Sequence, residues 1–471
     1  MKSGLDPSGD VKKKVTGRFT QKSTFAVPVE ALFGWHAREG AIERLSPPWD
    51  PIQVIHKSGG IKTGATVILG MKEGPVRYHW HALHTDYEEN RMFRDIETRG
   101  PLSSWVHTHR FESLDGNRSS LEDTIEYKPF FAPITGLMAD FFVRKRLSRI
   151  FAWRHRTTAA DLELHQRFQH LPRKKVLISG ASGVLGRKLI PFLTTGGHSV
   201  LTLVRRQPQT ATEIFWDPAR GILNADDLVG VDAVIHLSGE NVGEGRWTAE
   251  KRRRIIESRV STTYLLAERV SSLNPKPGVF ISASATGIYG DRKDDCLSED
   301  EIAGNGFLAT VCDHWENAVQ PALDNGMRTA LMRIGVVLTP EGGALQKLLL
   351  PYQMGLGGRM GSGKQYISWI GIDDALAAFY WALMNEDISG PVNVVSPNPV
   401  TYLDFTRTLA SVLSRPAVLP FPAFLIKLFF GQMGVEGILF STRAKPTRLL
   451  DTGFNFRHSN LEEVFKHVLG K

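Results

Sequence analysis

The chain has 471 residues, 42% hydrophobic and 23% charged, the make-up of a soluble globular protein of roughly two or three domains. Its two cysteines, Cys296 and Cys312, exclude a disulfide-stapled scaffold and suit a reducing compartment, so a cytoplasmic location is expected. A net charge of +8 is mild for this length, and no nucleic-acid motif accompanies it. Much of the charge is local: Arg144, Lys145, Arg146, Arg149, Arg154 and Arg156 cluster, and "KRRR" fills Lys251–Arg254. Both runs read as solvated helix faces.

The opening "MKSGLDPSGDVKKK" has no apolar core, so residues 1–17 read as a flexible tail rather than a secretory signal. Residues 18–168 then alternate as strands do, in "RFTQKSTFAV", "GATVILGM", "RYHWHALHTDY", "RMFRDIETRG", "WVHTHRFESL" and "SLEDTIEYKPF". A short helix is expected at Pro28–Glu39 and a long one at Ile134–Gln169, with apolar residues at helical spacing and basic residues opposite. One long helix against a curved antiparallel sheet makes an α+β domain with a concave interior.

After "HLPRKK" the pattern becomes strand–helix alternation over 174–415. "KKVLISG", "HSVLTLVRR", "VDAVIHLSG", "GVFISASAT" and "RTALMRIGVVL" are continuous apolar strands, which implies a doubly wound parallel sheet buried on both faces. Residues 416–471 make up the C-terminal stretch. Within it, Phe421–Phe440 is the best membrane candidate, but Lys427, Gln432 and Glu436 interrupt it. About 20 apolar residues are needed to span a bilayer, so an amphipathic helix covering a core or pocket is expected instead.

Gly180, Gly183 and Gly186, in "GASGVLG", follow the strand "KVLI" and open a helix. In that context the first glycine permits a tight turn, the second lets backbone approach a pyrophosphate and the third allows close packing. The helix N-terminus then faces the phosphates. Where an acidic residue would hold a ribose 2′-hydroxyl, this chain has Arg205 and Arg206, which suit a 2′-phosphate; NADP(H) is expected over NAD(H).

These residues, with "DAVIHLSGE" (Asp232–Glu240), "ISASATGIYGD" (Ile281–Asp291), "RIGVVLTPEGG", "QYISWIGIDDALAA" and "GPVNVVSPNPVT", resemble the extended short-chain dehydrogenase/reductase superfamily. "LPYQMGLGGRMGSGKQYISWI" and the tail from Pro420 narrow the resemblance to an atypical epimerase-like subgroup, loosely labelled cell-division-inhibitor-like. It implies a Rossmann-type domain with cofactor contacts at Gly180, Ser182, Gly183, Val184, Leu185, Gly186, Leu237, Ser238, Gly239 and Ser282. Residues 18–168 are similar to START-like, polyketide cyclase-like helix-grip domains, carried by "GPLSSWVHTHRFES" and "LEDTIEYKPF". That implies an apolar cavity for a hydrophobic ligand.

In such enzymes a serine orients the reacting carbonyl or hydroxyl, and a tyrosine tuned by a lysine four residues later exchanges the proton. Ser284 matches the serine, but Leu308 and Cys312 stand at the dyad positions, and Glu301–Gln320 holds no Tyr or Lys. Tyr289, five residues after Ser284, is the candidate replacement, and Arg333 and Lys364 are candidate substrate-binding residues. Cys312 reads as a small core residue and His314 as a helix-surface one. His79 and His81 share one strand face and His107 and His109 another; nothing in the sequence places the faces together or supplies a carboxylate, so no metal is expected.

Two functions stay open: an NADP(H)-dependent oxidoreductase or epimerase acting on a carbonyl or sugar-like small molecule, and a non-catalytic regulator that senses NADP(H). A membrane-associated lipid carrier is a third reading, resting on the basic helix and the apolar C-terminal stretch. Neither nucleic acid nor an integral membrane segment is expected.

Overall fold

The protein is described by a computed structural model over residues 17–129 and 132–471, so the expected tail, apart from Gly17, lies outside the described residues. Two compact units result. One runs to Glu163 without Pro47–Trp49; the other holds Pro47–Trp49 and Leu164–Lys471.

The first unit is a seven-stranded sheet: β1 (Gly17–Phe25), β2 (Gln53–Ser58), β3 (Thr66–Glu73), β4 (Val76–Glu88), β5 (Met92–Arg99), β6 (Leu102–Ser113) and β7 (Ser119–Pro129). The order is β1-β7-β6-β5-β4-β3-β2, antiparallel throughout. Period-two burial is plain on β1, where Phe19 and Phe25 turn inward and Arg18 and Thr20 outward. Helices α1 (Val29–Ala37) and α2 (Ala41–Arg44) follow β1, and α3 (Ala132–Arg167) closes the unit. Leu147 and Phe151 of α3 pack on Phe19, Ile125 and Tyr127. The fully buried Arg44–Asp161 pair, with bonds of 2.7 and 2.9 Å, ties α2 to α3. The sequence reading missed β2. It is an edge strand, almost wholly exposed, so no apolar alternation marks it.

The second unit is built on an eight-stranded sheet. Its strands are β8 (Lys175–Ser179), β9 (Ser199–Val204), β10 (Glu213–Asp217), β11 (Ile222–Leu223), β12 (Ala233–His236), β13 (Val279–Ala285), β14 (Arg328–Ile334) and β15 (Gly390–Val394). They are ordered β11-β10-β9-β8-β12-β13-β14-β15, parallel except for β11. The Rossmann-like doubly wound sheet is therefore present, with β10, β11 and β15 added to the five strands read from sequence. The apolar strands feed two layers. Val176 and Ile178 of β8 join Leu189 and Phe192 of helix α4 (Val184–Thr195), while Leu177 between them joins Leu266 and Val270 of helix α5 (Ala249–Ser271). That double duty is why these strands read as unbroken apolar runs. Helix α6 (Phe307–Asn317) flanks the sheet, and every residue of helix α7 (Ile372–Met384) is buried, as expected of a helix apolar on nearly all sides.

The order of strand addition reverses at β8, with the strands still parallel: β9 lies on one side of β8 and β12 on the other. Ligands of open α/β sheets sit at such a switch point, beyond the carboxyl ends of the strands. Ser179, Leu237 and Ser284 occupy those ends.

No helix among the described residues is long and apolar enough to cross a membrane. The stretch expected to cover a core does so only in part. In the helix Ala423–Gly434, Ile426 and Gly434 are buried, whereas Phe424, Leu428 and Phe429 are exposed. The basic run at Lys251–Arg254 is less solvated than expected: Lys251 is buried on Glu240 at 2.7 Å, and Arg252 lies over the ring of Phe307. Arg154 of the other cluster is likewise turned inward, donating to the carbonyl of Leu45 at 2.9 Å.

Candidate functional site

The turn between β8 and α4 is made by clearances that only glycine leaves. Gly180 has φ +75°, and a Cβ there would lie 2.7 Å from the carbonyl of Leu237. A Cβ on Gly186 would lie 2.5 Å from the carbonyl oxygen of Gly180, which locks the helix start against the strand end. Gly183 is extended and caps α4 with no side-chain hydrogen bond, and no acidic residue follows in the first turn. The first amide hydrogens of α4 thus keep their positive field for an anion. Ser182 is exposed at the tip of the turn, with Val184 and Leu185 half-buried behind it. Across the crevice, the Leu237 amide donates to Ser179 (3.1 Å), and Ser238 and Gly239 continue the wall half-buried and exposed. These residues fit a dinucleotide: backbone donors, close backbone approach and no competing carboxylate.

Arg205 and Arg206 both leave β9 exposed, but they are not equivalent. Arg206 is clamped on Glu213 by contacts of 2.5 and 2.9 Å. Arg205 has no side-chain partner among the described residues. Arg259, which the sequence reading passed over, lies where a Cβ on Gly239 would come within 3.0 Å of its guanidinium. It donates to the carbonyls of Glu240 and Ile255 and sits 4.9 Å above the ring of Trp315. Beneath the crevice His236 is fully buried between Ser179 (2.6 Å) and Thr262 (3.4 Å). Burial, reinforced by the Arg259 charge, lowers its pKa to about 3.

The serine corner is a closed network. Ser284 Oγ donates to Glu316 Oε1 at 2.6 Å, and Arg333 grips both oxygens of Glu316 at 2.9 Å. Arg333 also donates to the Tyr289 hydroxyl (3.0 Å), which in turn donates to Asn393 (2.7 Å). Three expectations need correcting here. Tyr289 is 0% exposed, with its hydroxyl spent in both directions and its pKa raised by burial, so it is a strut of the network. Arg333 is 5% exposed and neutralised by Glu316, so it holds the carboxylate rather than facing an open pocket. Ser282 is also corrected: it is 1% exposed and its hydroxyl donates to the Ala283 carbonyl. Lys364 is exposed and outside this network.

Leu308 and Cys312 lie one turn apart on α6 and both face Gly287, where a Cβ would meet them at 3.3 and 3.9 Å. The dyad positions thus do border the serine corner, without a proton carrier. Burial, with the Glu316 charge, pushes the Cys312 thiol up to about 12, so it stays protonated and unreactive. His314 is exposed, as expected. Glu316 is the residue of this corner whose weight the sequence hid: in the chain it is one carboxylate among many, and only the fold puts it on Ser284 and Arg333.

The first unit encloses a cavity of about 710 Å³, lined by apolar residues such as Val67, Leu69, Trp80 and Trp105, with His107, His109, Asp95 and Arg154 among them. The four histidines do not form one set. His79 and His81 lie on β4, separated by β5 from His107 and His109 on β6. The carboxylates the sequence reading lacked are supplied by the neighbouring strands: Asp95 of β5 pairs with His107, and Asp123 of β7 with His109.

Comparison with known proteins agrees with this geometry. Residues 176–395 match the NAD dependent epimerase/dehydratase family, and residues 421–468 match a domain of unknown function (DUF1731). An epimerase family protein of Mycobacterium bovis is 39% identical over 293 residues, 62% of this chain and 97% of that protein. The crystal structure of a nucleoside-diphosphate sugar epimerase from Corynebacterium glutamicum is 32% identical, covering 96% of this chain and 90% of that one, with a TM-score of 0.80. A human epimerase family protein, crystallised with NADPH, is 30% identical over 63% of this chain and 99% of its own, with a TM-score of 0.58. From its glycine turn, its doubly wound sheet and these relatives, the chain belongs to the NAD-dependent epimerase/dehydratase family.

Proposed function

We propose that the second unit is an NADP(H)-binding oxidoreductase or epimerase of atypical type, acting on a carbonyl or sugar-like small molecule. The observation that carries the reading is the Gly180–Gly186 turn, whose clearances and uncapped helix start suit a pyrophosphate. The unpartnered Arg205 favours the 2′-phosphate form of the cofactor, in keeping with the NADPH in the human relative's structure. When bound, such a cofactor supplies or accepts a hydride. The chain's own part is to hold Ser284 in one rotamer through Glu316 and Arg333. Ser284 orients the reacting oxygen. With no tyrosine–lysine pair at the site, proton transfer falls to water or to a non-standard residue.

One observation favours the second reading, a nucleotide-sensing regulator: every hydroxyl and thiol at the serine corner is buried, with Ser284 at 2%, Tyr289 at 0% and Cys312 at 3% exposure. In both readings residues 18–168 act as a START-like domain for a hydrophobic ligand, held in the apolar cavity, and residues 416–471 form the small C-terminal domain of the subgroup. The test is a fluorescence titration with NADPH and NADH, then single-turnover oxidation of NADPH against carbonyl-bearing sugars and apolar ketones. Tight NADPH binding with turnover lost in Ser284→Ala supports the enzyme. Binding without turnover supports the regulator, and no binding of either nucleotide refutes both.

A further inference from the structure

We propose that Asp95, His107 and His109 form a binding site for a divalent first-row metal ion in the wall of the first unit's cavity. The strand register builds it. Asp95 of β5 lies opposite His107 of β6, and His109 stands two residues further along β6 on the same face. His107 Nδ1 is 3.5 Å and His109 Nε2 is 3.9 Å from Asp95 Oδ2, and one donor atom from each of the three residues lies within 4.8 Å of the others. Metal–nitrogen and metal–oxygen bonds of about 2.0–2.2 Å separate adjacent ligand atoms by about 3–3.5 Å. The Asp95 pairs need to draw in by only a few tenths of an ångström and the widest pair by about 1 Å to close the set on an ion.

What distinguishes this cluster from a chance grouping is the second layer behind it. The ring nitrogens that point away from Asp95 both meet one carboxylate, Asp123: His107 Nε2 at 3.2 Å and His109 Nδ1 at 2.5 Å. Asp123 is itself fixed by His155 at 2.6 Å, whose other nitrogen is held by Ser23 at 2.8 Å. A carboxylate behind each ligating imidazole is how proteins orient metal-binding histidines and raise their basicity. The rings are also immobilised, His109 stacked on Phe93 at 4.0 Å and His107 edge-on to Phe151 at 5.3 Å.

Charge points the same way. Asp95 and Asp123 bring two carboxylates to the cluster, which shares its wall with the Arg154 guanidinium, and a cation held between Asp95 and the two rings would add to their pairing. Two imidazoles and one carboxylate suit zinc, iron, cobalt or nickel, and leave coordination positions open. Because all three residues line the cavity, those positions are available to a ligand inside it. The ligand class that fits is an apolar molecule carrying an oxygen donor.

The test uses the full-length chain, stripped with a chelator and titrated with Co²⁺, read by visible d–d absorption and by calorimetry. The expected result is one ion per chain, with affinity reduced at least tenfold in Asp95→Asn and in His109→Gln, and about 10–100-fold in Asp123→Asn. His79→Gln with His81→Gln, exposed and half-buried on β4, should leave binding unchanged. A thermal melt of each variant separates lost ligation from lost fold, and the isosteric Asp95→Asn is the variant on which the conclusion rests. Absence of a stoichiometric Co²⁺ spectrum in the wild type overturns the proposal. So does wild-type affinity in a folded Asp95→Asn, or loss of binding in the His79/His81 variant.

Discussion

The two units solve the problem of making a binding site in opposite ways. In the second, the crevice is made of what is missing: glycines without Cβ atoms, a helix start without a cap, dyad positions without proton carriers. In the first, the cavity is lined by large side chains, and buried charges are set into its wall and paired with one another. A site made of backbone clearances is written in spacing and survives as a motif. A site made of side chains from four separate elements is written only in the fold.

That contrast predicts where each unit breaks. The largest effect is expected at Gly180. Valine there would force a side chain into the Leu237 carbonyl at 2.7 Å while φ stays at +75°, a region that β-branched residues avoid. Gly180→Val should abolish NADPH binding in a fluorescence titration and leave Co²⁺ binding by the first unit intact. Retained nucleotide binding would remove the glycine turn from the site.

Next come two buried arginine–carboxylate pairs, one taken from each unit. Glu316→Gln removes a buried carboxylate charge from Arg333, and Asp161→Asn removes one from Arg44. Breaking a buried pair from one side costs about 3–5 kcal/mol. Both variants should melt well below the wild type in calorimetry. Only Glu316→Gln should also release Ser284 from its fixed rotamer and lower turnover. Equal effects of both on turnover would refute a local role for Glu316.

Arg205→Ala should weaken NADPH by about tenfold or more, the worth of a charged hydrogen bond, and leave NADH unchanged. Arg206→Ala should do less, because Glu213 already holds that side chain. Competition titrations with the two nucleotides decide it. Equal losses for NADPH and NADH would take Arg205 off the 2′-phosphate.

How far the sequence could be read follows from the same contrast. The five central strands were legible because each supplies apolar residues to both layers; β2, β10 and β11 were not, being short or exposed at an edge. Gly180, Gly183 and Gly186 were legible because the turn depends on their spacing. The positions of Leu308 and Cys312 were legible too, as an absence at a counted distance. Tyr289 was misjudged because its nearness to Ser284 in sequence says nothing of its hydroxyl, which the fold commits to Asn393 and Arg333. Arg259, and the partners of Glu316, escaped because a charged residue on an amphipathic helix looks the same in sequence whether it faces water or a buried partner. Asp95 and Asp123 escaped because strand register, not spacing along the chain, brings them to the histidines.

The smallest effect expected is a pH dependence beneath the nucleotide crevice. His236 is neutral in the fold, with a pKa of about 3 against the usual 6.5, because burial and then the Arg259 charge oppose its proton. A histidine depressed in this way stabilises the fold fully above pH 6.5, and the contribution is lost as pH falls from 6.5 toward 3, where only the unfolded chain takes up the proton. His236→Gln removes that titration while keeping a polar side chain between Ser179 and Thr262. Denaturant melts of the second unit's transition should therefore lose stability less steeply between pH 6.5 and 4 in the variant than in the wild type. Parallel slopes would mean that the imidazole is already protonated in the native crevice, donating to Ser179 through Nδ1 and to Thr262 through Nε2.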